Sequence, residues 1–265
     1  MNNNAVASKV PAVTLGFWII KILATTLGET GGDTVTMTWL GETTSEANPN
    51  GYLIGTAIFG VLLVILVLVQ IRASAFNAWL YWATIVASTT AGTTLADFAD
   101  RSLGIGYTGG SGVLLACVLA SLGIWYLSER TISVNTVNTP KVEALYWLTI
   151  TFSQTLGTAL GDWLADDAGV GFLGGALVFG AALAVLAALY FWTKISRVLL
   201  FWAAFILTRP LGATVGDFLD KPFDEGGLSL SRPIATAAIA IAMVLLILVI
   251  PQRAGSHPGK SEQAV

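Results

Sequence analysis

The sequence predicts an all-α integral membrane protein, with eight transmembrane helices forming four parallel two-helix repeats around a polar centre. Three observations predict it. Of the 265 residues 55% are hydrophobic and only 11% charged, with a mean hydropathy of +0.75; a water-soluble fold cannot hide that much apolar surface. Eight apolar segments, each near the ~20 residues that cross a bilayer, lie at about 14–37, 52–71, 76–98, 107–127, 144–165, 170–193, 198–219 and 233–250. The odd-numbered segments superpose on one another without a gap. None of the runs alternates with a period of two, which points to helices rather than a barrel.

That superposition is anchored at three places. Trp18, Trp82, Trp147 and Trp202 each follow an aromatic residue: Phe17, Tyr81, Tyr146 and Phe201. Ten residues on stands Gly28, Gly92, Gly157 or Gly212, and fifteen residues on stands Asp33, Asp97, Asp162 or Asp217. The residue before each aspartate is small. Each odd segment carries Thr, Gly and acids, and each even one, such as "GVLLVILVLVQ", is almost purely aliphatic. The unit is an internal repeat of one polar and one greasy helix. Residues 1–253 read as a single membrane domain with repeats at about 14–71, 76–127, 142–193 and 198–250, and 254–265 as a polar cytoplasmic tail.

On these residues the chain resembles a family of bacterial membrane proteins built from four tandem repeats, each described as two spans and a tryptophan. The repeat has carried only an unknown-function label. The resemblance covers nearly the whole chain and implies fold and location, with no activity attached.

Composition narrows the chemistry. A net charge of −3 without any Lys/Arg-rich run gives no footprint for nucleic acid. The single cysteine, Cys117, allows no intramolecular disulfide and no CxxC motif, and reads as a small buried hydrophobe. The single histidine, His257, lies in the polar tail, which argues against bis-histidine haem and typical zinc or copper sites in the membrane. GxSxG, HExxH and P-loop motifs are absent, so an enzyme is not expected. Residues 1–13 lack the layout of a cleaved signal peptide.

Orientation follows from the basic residues. Lys9, Arg72, Arg130, Lys141, Lys194, Arg197, Arg253 and Lys260 fall on the N-terminal side, against Arg101, Lys221 and Arg232 on the other. This predicts a multi-pass protein of the bacterial inner membrane with both termini cytoplasmic. The outer loops collect acids instead: Glu42, Glu46, Asp166, Asp167, Asp224 and Glu225.

Steps of four along each odd helix trace one face. The stripes read Lys21–Thr25–Glu29–Asp33, Ile85–Thr89–Thr93–Asp97, Ile150–Gln154–Thr158–Asp162 and Phe205–Arg209–Ala213–Asp217. Lipid is a poor home for such stripes, so they are expected to face one another or a shared cavity. Fifteen residues from an interfacial tryptophan place each aspartate roughly 22 Å along the helix, in the outer third of a ~30 Å core. Glu29 lies about one turn deeper, and Lys21 and Arg209 deeper still.

Five acids (Glu29, Asp33, Asp97, Asp162, Asp217) against two bases (Lys21, Arg209) leave a nominal −3 on the stripes. Such an excess is relieved by protons or by a bound cation. Carboxylates, the hydroxyls of Thr25, Thr89, Thr93 and Thr158, and the Gln154 amide are hard oxygen donors. The sequence therefore predicts a proton-coupled secondary transporter, preferentially an exporter, of a hard metal cation. Mn²⁺ is favoured over Mg²⁺, Ca²⁺ and Na⁺. Its partners are the bilayer, that cation and protons, and no resident cofactor is expected beyond a transported ion such as Mn²⁺. The alternatives are a carrier of a small cationic or zwitterionic organic solute, with Lys21 and Arg209 holding its anionic group, or a non-transporting membrane scaffold.

Several residues carry a structural reading beside the functional one. The pairs Gly28/Gly32, Gly157/Gly161 and Gly212/Gly216 fit close helix packing. The tryptophans fit interface anchoring or repeat packing. Asp100/Arg101 and Asp220/Lys221 read as ordinary charges at solvated helix ends. Lys21 and Arg209 read either as structural counter-ions or as stand-ins for a cation, and Pro210 as either a kink or a helix break.

Overall fold

The computed structural model describes residues 7–42 and 50–256. Glu46 and the tail residues His257 and Lys260 lie outside the described residues. Eight α-helices run among them: α1 Leu15–Asp33, α2 Gly51–Arg72, α3 Ala78–Asp97, α4 Tyr107–Glu129, α5 Pro140–Asp162, α6 Gly171–Trp192, α7 Arg197–Asp220 and α8 Arg232–Val249. Each coincides with one apolar segment of the sequence.

The odd helices start alike. Thr14, Asn77, Thr139 and Ser196 cap α1, α3, α5 and α7, each side chain accepting from a backbone N–H three residues on. Such a cap is worth about 1 kcal/mol. In the first three repeats the α-helix gives way, directly after the aspartate, to a wider π-helical turn: Thr34–Trp39, Phe98–Ser102 and Trp163–Asp167. In the fourth, α7 stays α-helical to Asp220 and runs unbroken through Pro210. Pro210 is therefore neither a break nor a stop.

Five helices are long and apolar enough to cross a membrane: α2, α4, α6, α7 and α8. The other three, α1, α3 and α5, are of similar length but carry the polar stripes. The even helices present much of their aliphatic surface outward, as at Val61, Leu119, Leu177 and Ile234. Cys117 on α4 is half-buried rather than in the core.

The odd helices form a closed ring in which α1 packs on α3, α3 on α5, α5 on α7 and α7 on α1. Each even helix leans on the odd helix of the following repeat: α2 on α3, α4 on α5, α6 on α7 and α8 on α1. The ring thus closes within one chain.

The four seams share one register. A Cβ on Gly28 would strike Thr89, one on Gly92 Gln154, one on Gly157 Arg209 and one on Gly212 Thr25. In every case the glycine ten residues past a tryptophan meets the residue seven past the next; four residues on, Gly32 meets Thr93, Gly161 meets Ala213 and Gly216 meets Glu29, so these neighbouring helices run in the same direction. Glycine is needed because backbone approaches backbone: at Gly92 the added carbon would lie 2.9 Å from both the Gln154 carbonyl carbon and the Thr155 nitrogen.

The aromatic residues close one end of the ring. Phe17 meets Trp82 at 5.5 Å between ring centroids, Tyr81 meets Trp147 at 5.7 Å, Tyr146 meets Trp202 at 6.3 Å and Phe201 meets Trp18 at 5.6 Å. Trp82, Trp147 and Trp202 are buried and Trp18 half-buried, so of the two structural readings it is repeat packing that describes them. The Tyr81 and Tyr146 hydroxyls share a hydrogen bond of 2.6 Å within this floor.

Beneath the floor, the segment before α1, the α4–α5 loop and the segment after α8 interlock. Pro11 bridges Ala254, the Ser8 hydroxyl donates to the Val134 carbonyl, and Lys9 pairs with Glu143 at 2.6 Å. Gly255 donates to the Val10 carbonyl at 2.8 Å. Ala254 and Gly255, the first residues of the segment read as a polar tail, take part in this packing.

Candidate functional site

Above the aromatic floor the polar stripes converge on the interior of the ring. The first layer, three residues past each tryptophan, is Lys21, Ile85, Ile150 and Phe205, all fully buried. The Lys21 ammonium lies over the face of Phe205, 4.3 Å from the ring centroid.

The next layer is Thr25, Thr89, Gln154 and Arg209, again fully buried. The two threonines tie helix to helix: Thr25 donates to the Thr208 carbonyl at 3.1 Å and Thr89 to the Ala24 carbonyl at 3.2 Å. Arg209 reaches upward. One of its guanidinium nitrogens donates to Glu29 at 2.8 Å, to Thr93 at 2.6 Å and to Thr158. A residue of α7 thereby touches α1, α3 and α5 at once, in the layer formed by Glu29, Thr93, Thr158 and Ala213. Thr93 also donates to the Gly28 carbonyl at 3.3 Å.

At the far end stand the four repeat aspartates, all buried. They form two clasps rather than one symmetric cluster. Lys221 lies 3.0 Å from Asp33 and 3.2 Å from Asp217. Arg101 lies 3.0 Å from Asp97 and 3.9 Å from Asp162. Asp220, also buried, faces Arg232 at 3.9 Å.

These clasps correct the sequence reading. Lys221 is buried and Arg101 partly exposed, and both are counter-ions of the repeat aspartates rather than lone charges at helix ends. Counting them, the five stripe acids face four bases rather than two, and the nominal excess falls from −3 to −1. The signal was present in the sequence. Nineteen residues past the tryptophans stand Met37, Arg101, Asp166 and Lys221, so Arg101 and Lys221 each follow a repeat aspartate by one helical turn.

Outside the helices the local charges respond to the clasps. Burial works against the Lys221 ammonium, but the carboxylates of Asp217 and Asp33 outweigh it and hold its pKa well above the ordinary lysine value. Burial raises Asp100 and Asp166 above the usual carboxylate range.

Among the described residues one group of carboxylates has the geometry to hold a metal ion. Glu29, Asp33 and Asp217 each offer an oxygen, and these lie within 4.8 Å of one another, all buried. Asp97 and Asp162 share the same depth but gather around Arg101 across the ring. Thr93 and Thr158 stand within reach of the Arg209 guanidinium, Thr25 and Thr89 are turned to backbone carbonyls, and Gln154 and Lys21 stand below without hydrogen-bond partners.

The curated proteins and the solved structures hold no match to this chain. The family described as Repeat of Unknown Function (DUF347) matches four times in tandem, at residues 16–76, 80–131, 145–196 and 200–253. Those boundaries fall on the four helix pairs that build the ring, and the chain belongs to the DUF347-repeat family.

Proposed function

We propose that this protein is a proton-coupled secondary carrier, working as an exporter, of a hard metal cation, with Mn²⁺ as the preferred ion over Mg²⁺, Ca²⁺ and Na⁺. In this reading all eight helices span the bacterial inner membrane as four parallel repeats with both termini cytoplasmic. The odd helices line a polar path and the even helices face lipid. The charge asymmetry supports that orientation: with Arg101 and Lys221 drawn into the clasps, Arg232 is the one basic residue left to the acid-rich side.

The observation that carries the reading is the buried triad of Glu29, Asp33 and Asp217 within 4.8 Å. Three carboxylates at that spacing suit an oxygen-loving divalent ion. Lys221 and Arg209 now occupy them as internal cations. An arriving metal ion displaces the Lys221 ammonium together with protons held by the acids, and this exchange is the coupling. Confinement in low dielectric makes it strict, because an uncompensated carboxylate there costs several kcal/mol.

Ion flux in proteoliposomes tests it, with Mn²⁺, Mg²⁺, Ca²⁺ and Na⁺ supplied in turn and an internal pH dye. A cation-dependent pH change in the wild type that is absent in Asp33→Asn and Asp217→Asn is the expected result. Wild-type flux in both variants, each shown to be folded and inserted, removes the triad from the mechanism.

A further inference from the structure

Below Arg209, on the side of the aromatic floor, the ring encloses polar groups that serve neither clasp. Lys21, Gln154 and Arg209 are each 0% exposed. The Lys21 ammonium makes no hydrogen bond, nor does either atom of the Gln154 amide, nor do Nε and Nη1 of Arg209. Two residues of the same layer behave otherwise: Thr25 and Thr89 place their hydroxyls on backbone carbonyls of the adjoining helix.

The charge is equally one-sided. Glu29 is already engaged by Nη2 of Arg209, and among the described residues no carboxylate lies within 4.0 Å of Lys21. A buried ammonium without a counter-ion is unfavourable. The face of Phe205, 4.3 Å away, offsets part of that. The remaining unused donors come from α1, α5 and α7, three consecutive walls of the ring. Ile85, Ile150 and Phe205, fully buried, share the layer of Lys21 and make the rest of it apolar.

We propose that Lys21, Gln154 and Arg209 form a binding site for a small monovalent anion, of the size of formate, acetate or chloride. The ammonium supplies the compensating charge, Nε or Nη1 of Arg209 and the amide NH₂ of Gln154 supply directed donors, and the apolar neighbours of Lys21 in its layer, Ile85, Ile150 and Phe205, set the size limit. The site lies one layer below the carboxylate triad, with Arg209 between the two. It does not depend on the cation reading, and its test contains no divalent metal.

Thermal unfolding of the purified full-length protein in detergent decides it, with chelator present and ionic strength fixed. Sodium formate, acetate and chloride are each titrated against sodium gluconate, whose anion is too large. The wild type shows a saturable rise in Tm of about 5 °C at one hundred times the dissociation constant. Lys21→Met abolishes the rise, Gln154→Leu weakens apparent binding about tenfold, and Trp192→Phe on the exposed face of α6 leaves it intact. An equal rise in Lys21→Met, or none in the wild type with any of the three anions, overturns the proposal. Should Lys21→Met fail to fold, Gln154→Leu decides: an unchanged half-saturation concentration overturns it. Stabilisation by glycine zwitterion but not by acetate overturns it in favour of an organic solute.

Discussion

Lys221 Nζ lies 3.0 Å from Asp33 Oδ2, across 188 residues of sequence. The contact joins the end of α7, in the fourth repeat, to the first repeat, and the same ammonium holds Asp217 of α7 at 3.2 Å. Two repeats away Arg101 does the same for Asp97 and Asp162. Four near-copies of one acidic phrase thus resolve into two charge clasps, each seated on one basic residue.

The clasps differ in exposure, and their removal is expected to differ with it. The side chain of Lys221 is 7% exposed and that of Arg101 34%. Lys221→Met leaves two carboxylates buried without a partner and lowers stability by about 3–5 kcal/mol. Arg101→Met, where water assists, costs about 1 kcal/mol. Adding Asp33→Asn to Lys221→Met restores part of the loss, a coupling that a double-mutant cycle in detergent measures. Equal losses from the two single variants contradict this ranking.

The seams make a second prediction. Gly92→Ala places a carbon 2.9 Å from two backbone atoms of α5, which no side-chain rotation relieves. The helices must part, at a cost of about 3 kcal/mol. Gly60→Ala on α2 meets nothing within 4 Å and gains about 0.5–1 kcal/mol from helix propensity. Comparison of the two melting temperatures checks the assignment of the seams.

A third concerns the aromatic floor. Tyr81→Phe strands the Tyr146 hydroxyl in a fully buried position and costs about 1–3 kcal/mol. Replacing both tyrosines by phenylalanine removes the stranded group as well. The double variant is expected to melt above the single one, and a double variant less stable than either single would show that the pair does more than satisfy itself.

Much of this arrangement was legible in the residues. Trp18, Trp82, Trp147 and Trp202 fixed a register that returns as four equivalent seams, and the stripes of polar residues marked the inward face of each odd helix. The partners of the aspartates were not read, although they stand one turn further along. Arg101 and Lys221 follow the last apolar residues, where a chain usually meets water, and only the cross-repeat contacts to Asp162 and Asp33 reveal them as partners of the aspartates. The interlocked termini were hidden for a related reason. Ala254 and Gly255 carry no distinctive side chain, and their place is set by backbone contacts to a segment more than 240 residues away. Local pattern reports which face of a helix is buried, whereas a contact between distant backbones leaves no trace in composition.

Because α8 leans on α1 just as α2 leans on α3, and because Pro11 and Ala254 are paired, the ring has no structural first repeat. The chain's beginning is a cut in a circle. Joining residue 256 to residue 7 through a short linker and opening the chain between α2 and α3 is expected to give a circular permutant that inserts and packs as the parent does, as judged by its melting profile. The same closure means that two half-length chains, each of two repeats, together contain every seam of the ring.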